Sequence, residues 1–148
     1  MKEISAGAIV FYLQENKPLY LLLYKKAENN YKERFDFPKG NIETNEKHEE
    51  AAKREIREET GLDVKILPNF KEKLSWIYKR NNEIIHKEAI FFIARSKTKD
   101  VKISFEHDGY EWLDFDEALK KLKFKNQKEL LIKANEYIKE YLKQKKLY

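Results

Sequence analysis

The sequence has no cysteine, few glycines and prolines (four and three among 148 residues), and no long apolar run. The missing cysteine excludes disulfides, thiolate metal sites and a cysteine nucleophile, and it fits a reducing compartment. No segment approaches the roughly 20 apolar residues that a membrane-spanning helix needs. The N-terminal apolar run is interrupted by Glu3, so we interpret it as a strand rather than a signal peptide. We therefore expect a cytoplasmic protein.

What remains is a composition suited to one compact domain over residues 1–148. The hydrophobic fraction of 41% and the aromatic fraction of 14% are sufficient for a core without cross-links. The formal net charge of +5 is compatible with a polyanionic ligand such as a nucleotide. Much of this excess lies in the C-terminal "KQKK", which is typical of a solvated helix end.

Predicted strands are distributed over most of the chain and are separated by irregular segments. The apolar periodicity predicts strands over 3–13, 19–26, 62–67 and a short segment ending at Leu113, and a hairpin over 71–80 and 83–95. The polar segment 27–35 is predicted as a loop, and the Pro- and Gly-containing segment 36–46 cannot form a long regular element.

Three helices are predicted between and after these strands. The first runs from about Lys47 to Thr60, with Gly61 at the position that ends it. Capping boxes at Asp114 and Asn126 predict two more, and the last helix carries a continuous apolar stripe. This order predicts an α/β or α+β sandwich, in which a mixed sheet lies between helices.

Near the end of the first predicted helix, "REIREETGL" places three glutamates on one face. Glu55, Glu58 and Glu59 stand at i, i+3 and i+4, and they share a helical-wheel arc with Ala51 beside the predicted core side. Like charges so placed repel, and a helix C-terminus already carries partial negative charge. The arrangement therefore needs an explanation.

Two explanations are open. The carboxylates can be a solvated helix face, with Arg54 paired to Glu58. Alternatively they bind a cation, which their position next to the apolar arc and beside a Gly/Pro loop favours. Carboxylates without histidine or cysteine suit Mg²⁺ or Mn²⁺, and Mg²⁺ sites are commonly completed by substrate phosphates. The stripe thus indicates metal-assisted phosphoryl chemistry.

The segment Gly40–Leu62, "GNIETNEKHEEAAKREIREETGL", resembles the signature of the Nudix hydrolases. The matching residues are Gly40, Glu46, Arg54, Glu55, Ile56, Glu58, Glu59, Gly61 and Leu62. The resemblance implies a loop–helix–loop box in an α/β/α sandwich and hydrolysis of a nucleoside diphosphate linked to another group. It further implies that Glu55, Glu58 and Glu59 hold divalent cations, with the backbone carbonyl of Lys39 as an added ligand. Gly40, Glu46, Arg54 and Gly61 would be structural, with Glu46 and Arg54 tying the loop to the helix by an ion pair.

Two further segments resemble the diadenosine tetraphosphate hydrolase subfamily. "FDFPKGNIE" has Phe35 where that subfamily usually has tryptophan, and "EHDGYEWLDFDEA" supplies Glu106 and His107. The resemblance makes Glu106 a fourth metal ligand or the base that takes a proton from water. Phe91 stands where the subfamily often has a base-stacking tyrosine, so stacking is retained and the hydroxyl is lost.

The resulting hypothesis is attack of water on a phosphorus of diadenosine tetraphosphate, giving ATP and AMP, with Glu55, Glu58 and Glu106 catalytic. The substrate-binding candidates are Lys39, Phe91, Trp76, Tyr78, Lys87, His107 and Phe35. For the aromatic residues, core or sheet packing is the alternative. We expect a monomer that binds the nucleotide substrate. We expect no membrane association and no stable nucleic-acid partner.

Three other substrates fit the same signature: RNA 5′-triphosphate ends, nucleoside triphosphates including oxidised ones, and ADP-ribose. A non-catalytic nucleotide sensor is the alternative from another class, and the complete set of carboxylates argues against it.

Overall fold

A computed structural model describes residues 2–146, which form one mixed sheet with helices on both faces. The strands are β1 Lys2–Gln14, β2 Lys17–Lys25, β3 Arg34–Asp36, β4 Lys39–Asn41, β5 Val64–Ile66, β6 Glu72–Arg80, β7 Glu83–Ser96 and β8 Gly109–Leu113. The helices are α1 His48–Thr60, α2 Phe115–Lys121 and α3 Lys125–Lys146.

Strand β1 lies at the centre of the sheet. It pairs antiparallel with β2, where Phe11 faces Tyr20, and parallel with β7, where Ile9 faces Ile93. The strand order is β3-β2-β1-β7-β5, while β4 pairs with β1, β6 with β7 and β8 with β2. The β6–β7 hairpin is confirmed, and Asn81 and Asn82 turn it with φ of 52° and 64°. Asparagine tolerates this left-handed backbone better than most residues.

Alternate residues of the central strands feed two separate cores. On one face, Ile9 and Phe11 pack with β7 and with the helices α2 and α3. On the other face, Ala8 and Val10 pack beneath α1. Because both faces are covered, β1 and β2 contain near-continuous buried runs. The expected sandwich, with the mixed sheet between helices, is confirmed.

Helix α3 makes a buried polar contact with the sheet within an otherwise apolar face. Its predicted stripe is buried at Leu130, Leu131, Ala134 and Ile138. The Tyr20 hydroxyl of β2 donates to Asn135 Oδ1 at 2.6 Å, and both residues are buried. A buried polar group needs such a partner, so the two side chains satisfy each other.

Two expectations about local structure were wrong. Asn126 does not cap α3, because the Lys128 N–H already donates to the Phe124 carbonyl at 3.1 Å and the helix begins at Lys125. The end of the predicted loop 27–35 instead begins the short strand β3, which forms because it pairs with β2. The segment 36–46 forms no long regular element, as expected, and contributes only the three-residue strand β4, which pairs with β1. The Asp114 cap is confirmed, since its side chain accepts from the Glu117 N–H at 2.9 Å. Within residues 2–146, no helix is long and apolar enough to cross a membrane.

Candidate active site

Helix α1 carries the three box glutamates at graded depths. Ala51, Ala52 and Ile56 pack fully buried against the sheet, and Gly61 ends the helix at φ 75°, donating to the Arg57 carbonyl. Two of the glutamates border this apolar side of the helix: Glu59 is only 4% exposed, and Glu55 is largely buried. The Glu58 side chain is 58% exposed. We call these three glutamates the acidic cluster.

The Glu55 carboxylate occupies the space where Gly40 lacks a side chain. A β-carbon at Gly40 would overlap the Glu55 carboxylate carbon and Oε2. Gly40 lies in β4, which pairs with β1 at Ala6 and so cannot easily withdraw. The glycine that opens the signature therefore has a direct physical role, because it admits an acidic side chain between helix and strand.

Arg54 joins the box loop to the acidic cluster. Its Nε and Nη2 donate to the two Glu46 oxygens at 2.7 and 3.0 Å, which confirms the expected ion pair. Nη2 also donates to the Asn41 carbonyl at 2.8 Å. Nη1 donates to Glu55 Oε1 at 2.8 Å and Glu58 Oε2 at 3.2 Å. A planar guanidinium with five donors suits this role, and lysine would not replace it.

Burial and mutual repulsion make Glu59 a poor anion on its own. Desolvation, followed by the negative charge of Glu55, raises the pKa of Glu59 from 4.5 to about 8, although Lys39 opposes the shift. Desolvation also raises the pKa of Glu55, against the effect of its hydrogen bond from Arg54. Glu59 Oε2 is buried and has no hydrogen-bond partner. Such an atom takes up a proton or a cation.

The raised pKa predicts that the metal-free protein loses stability as the pH rises. An acid whose folded-state pKa exceeds its unfolded value stabilises the fold below the unfolded pKa, here 4.5. This contribution is lost as the pH rises through the folded pKa near 8. Between pH 6 and pH 8 the free energy of unfolding should fall by about 2–3 kcal/mol from this group. Urea unfolding with a chelator present measures it. Glu59→Gln should flatten the slope, and an unchanged slope in that variant would contradict the assignment.

A turn at residues 105–107 brings a fourth carboxylate to the cluster. The Ser104 N–H donates to the Glu59 carbonyl at 3.1 Å, and the Lys102 N–H donates to the Thr60 carbonyl at 2.9 Å. On the far side of the turn, the Asp108 N–H donates to the Tyr24 carbonyl at 2.9 Å. Glu106 on this turn is exposed, and its charge raises the pKa of both Glu55 and Glu59. The sequence-predicted loop carboxylate therefore lies near the two buried ones.

His107, on the same turn, is less accessible than Glu106. Its Nδ1 is buried without a hydrogen-bond partner, and burial lowers the pKa of the imidazole, with Asp36 and Glu106 opposing the shift. Asp36 in turn accepts from the Gln127 side chain of α3 at 2.9 Å. The neutral form of His107 is therefore favoured.

Lys39 precedes Gly40 in β4, and its charge acts both on the acidic cluster and on Lys87, one of the predicted substrate-binding residues. Its positive charge lowers the pKa of Glu59 and also, after desolvation, the pKa of Lys87. Lys87 Nζ lies 5.8 Å from the centre of the Trp76 ring, and both residues line an open cavity of about 770 Å³. No member of the acidic cluster lines this cavity.

Tyr78 follows Trp76 on the same face of β6 and belongs to a small polar network. Its hydroxyl donates to Glu3 at 3.1 Å, and Arg80 pairs with the other Glu3 oxygen at 3.2 Å. The charge of Arg80 also lowers the pKa of Lys87. Sequence reasoning missed Arg80 and Glu3. Residues 76, 78 and 80 alternate on one strand face, and this spacing was the available signal for Arg80.

One predicted base-binding aromatic is wrong, and a second stays a prediction. Phe91 is 3% exposed and packs edge-on against Phe37 in the core, which corrects its expected place in a base-binding site. Its predicted place in a strand is correct, but its side chain lies on the face of the sheet that packs against α3. Phe35 is half-buried, with its ring 5.1 Å from that of Tyr24 and 5.3 Å from Lys121 Nζ.

The acidic residues fit a divalent cation chemically. They offer carboxylate oxygens, one of them buried and unpartnered, and oxygen donors are those that Mg²⁺ and Mn²⁺ prefer. In the part of the chain that the structure describes, no three such groups are already gathered into a ligand set. Arg54 holds Glu55 and Glu58 instead. Binding of a divalent cation would therefore replace part of the ion pairing between Arg54 and these two glutamates.

Three kinds of comparison relate this chain to known proteins. Residues 1–134 match the NUDIX domain family. An asymmetrical bis(5′-nucleosyl)-tetraphosphatase of Rattus norvegicus is 32% identical over 106 residues, covering 68% of this chain and 69% of that protein. A nucleoside triphosphatase of Klebsiella pneumoniae is 33% identical over 120 residues, covering 71% and 79%. A crystal structure of a C. elegans Ap4A hydrolase binary complex has a TM-score of 0.78 at 24% identity, covering 92% and 97%.

Proposed function

The chain belongs to the NUDIX family of hydrolases, and from that premise we propose that it cleaves diadenosine tetraphosphate into ATP and AMP. Support for this substrate comes from the tetraphosphatase relative, which matches over about two thirds of both chains. Divalent metal ions are general to the family, and we propose Mg²⁺ or Mn²⁺ for this member.

The observation that carries the proposal is a cation, Lys39, near two chemically different regions. One region is the acidic cluster, which has a buried, unpartnered carboxylate oxygen and whose Glu55 fills the space at Gly40, the residue after Lys39. The other region is the open cavity lined by Trp76 and Lys87. The charge of Lys39 influences the pKa values of groups in both regions. A polyphosphate chain bound along Lys39 would join a nucleoside in the cavity to a reaction centre at the cluster.

The chain's own residues have distinct parts in this reaction. Glu55, Glu58 and Glu59, with Glu106, would hold the divalent ions, which when bound lower the pKa of water and neutralise phosphoryl charge. Arg54 orients Glu55 and Glu58, and its bidentate pair with Glu46 keeps the guanidinium in place. Lys39 and Lys87 neutralise phosphate oxygens as compact cations.

The hydrolysis itself forms one bond and breaks one bond. A water oxygen bonds to the phosphorus next to one adenosine, and the anhydride bond from that phosphorus to the next phosphate breaks. The water proton passes to a carboxylate that water can reach. Glu58 and Glu106 are the two exposed carboxylates, so they are the candidate acceptors. Lys39, whose charge acts on the acidic cluster, would stabilise negative charge on the departing ATP.

The direct test is product analysis. Purified protein is incubated with diadenosine tetraphosphate and Mg²⁺, and the products are separated by ion-exchange chromatography, with a chelator-treated sample as control. Equal amounts of ATP and AMP are expected, and two molecules of ADP would contradict the asymmetric cleavage. Untouched substrate with active turnover of another nucleotide would contradict the proposed substrate.

A second candidate substrate is a nucleoside triphosphate. The 33% identity to a nucleoside triphosphatase over 79% of that protein's length favours it specifically. The same assay with single nucleoside triphosphates, ADP-ribose and 5′-triphosphate RNA as parallel substrates ranks the alternatives by kcat/KM. We expect diadenosine tetraphosphate to rank first, because only a dinucleoside engages both sides of the phosphate chain.

A further inference from the structure

Phe105 is a large apolar side chain placed almost wholly in solvent. It is 94% exposed, whereas most phenylalanines in the described part of the chain pack into the cores. A phenyl ring left in water forgoes the stabilisation that burial would give. An exposed ring alone is ordinary, so its significance depends on how it is held and on what surrounds it.

The backbone on both sides of Phe105 is anchored. Before it, the Ser104 and Lys102 N–H groups donate to the last carbonyls of α1. After it, the Asp108 N–H donates to the Tyr24 carbonyl of β2, and the Lys26 N–H donates to Asp108 Oδ2 at 2.9 Å. The His107 N–H closes the turn on the Ser104 carbonyl at 3.3 Å. The phenyl ring therefore projects from a turn attached to both layers of the fold.

The groups around the turn are those that a nucleotide requires. Glu106 is the next residue, and the N–H of Ser104, the residue before Phe105, donates to the carbonyl of Glu59 itself at 3.1 Å. Lys25 is near as well, because the N–H of its neighbour Lys26 donates to Asp108 Oδ2 at 2.9 Å. The phenyl ring thus stands next to the acidic residues and a cation, on a turn separate from the cavity of Trp76 and Lys87.

We propose that Phe105 is a stacking platform for the second nucleobase of a dinucleoside substrate, the first base being bound at Trp76 and Lys87. This assignment rests on the proposed function and makes it more specific. Such a substrate carries a base at each end of its phosphate chain. With the reaction centre between them, each base needs its own surface. Every base has a π-face, so a single phenyl ring serves without hydrogen bonds.

The test compares two substrates that differ by one nucleoside. Diadenosine tetraphosphate has two bases, and adenosine 5′-tetraphosphate has one. Removing a stacking aromatic typically weakens binding by about 5- to 100-fold. Phe105→Ala should therefore raise KM for diadenosine tetraphosphate about 5- to 30-fold and leave KM for adenosine 5′-tetraphosphate within about 2-fold. Phe105→Trp should restore the wild-type KM for the dinucleotide.

Control variants separate stacking from general damage. Ile132→Ala removes another exposed apolar side chain, 39% exposed on α3, and should change neither KM. Thermal unfolding should be similar for all variants, because Phe105 contributes almost no buried surface. Equal loss on both substrates would show that Phe105 acts through the turn, and no loss on either would show no contact; both outcomes overturn the platform. If the wild-type protein leaves diadenosine tetraphosphate intact, the proposed function and the platform are overturned together.

Discussion

Replacing Glu58 with glutamine is expected to lower kcat by about 10²–10³-fold while the fold remains intact. The change keeps shape and removes the charge from the most exposed member of the acidic cluster. Arg54 retains its pairs with Glu46 and Glu55, so the loop and helix stay joined. Surface substitutions of this kind usually change stability by no more than about 0.5 kcal/mol. Steady-state kinetics with thermal unfolding of the same preparation measures both effects.

The matched control is Glu49→Gln on the same helix. Glu49 is exposed in the first turn of α1, and its change removes the same charge from the protein as a whole. Turnover should then remain within about 2-fold of wild type, as expected for a residue without contacts to the site. If Glu58→Gln behaves like this control, Glu58 is a solvated helix residue and the assignment of the acidic cluster fails.

A single methyl group at Gly40 is expected to abolish most of the activity with little loss of stability. The added β-carbon would overlap the Glu55 carboxylate, which ends a flexible side chain, so Glu55 moves and the backbone does not. We expect kcat/KM to fall about 100-fold or more and the free energy of unfolding to fall by about 1 kcal/mol. Kinetics and urea unfolding of Gly40→Ala measure the two quantities.

Two comparisons show whether this effect passes through Glu55. At Gly109 the same substitution meets only ordinary contacts, 3.7 Å from Tyr24, so Gly109→Ala should retain near-full activity. In a double-mutant cycle, adding Gly40→Ala to Glu55→Gln should cause little further loss, because both changes disturb one carboxylate. Additive losses would instead indicate that Gly40 acts on the backbone of β4.

The sequence predicted the acidic cluster well because helical spacing alone determines which side chains share a face. It did not predict that Glu59 is the most buried of the three. A helical wheel gives directions, whereas depth depends on what covers the helix. Here the cover comes from β4 around Lys39 and from the segment 102–104, which contacts the helix end through backbone hydrogen bonds.

The features that local patterns did not reveal share one physical cause. Strands β3 and β4 are three residues long, and they exist because β2 and β1 offer edges to pair with. Phe91 was placed correctly on β7, but local pattern does not reveal which of the two cores a strand residue enters when both faces are buried. Contacts between segments distant in sequence determine each of these features, and local periodicity in the sequence does not reveal such contacts.

The buried Tyr20–Asn135 hydrogen bond gives α3 a single register on the sheet. An apolar stripe alone would tolerate sliding, since leucines and isoleucines exchange neighbours at low cost. A slip of one turn, about 5.4 Å, would break this bond and also the bond from Gln127 to Asp36. Asp36 stands four residues before Gly40. The bond from Gln127, 91 positions later in the sequence, therefore fixes the chain just before it enters the loop–helix–loop box. The C-terminal helix α3 thereby helps to position the acidic cluster, although it contributes no residue to that cluster.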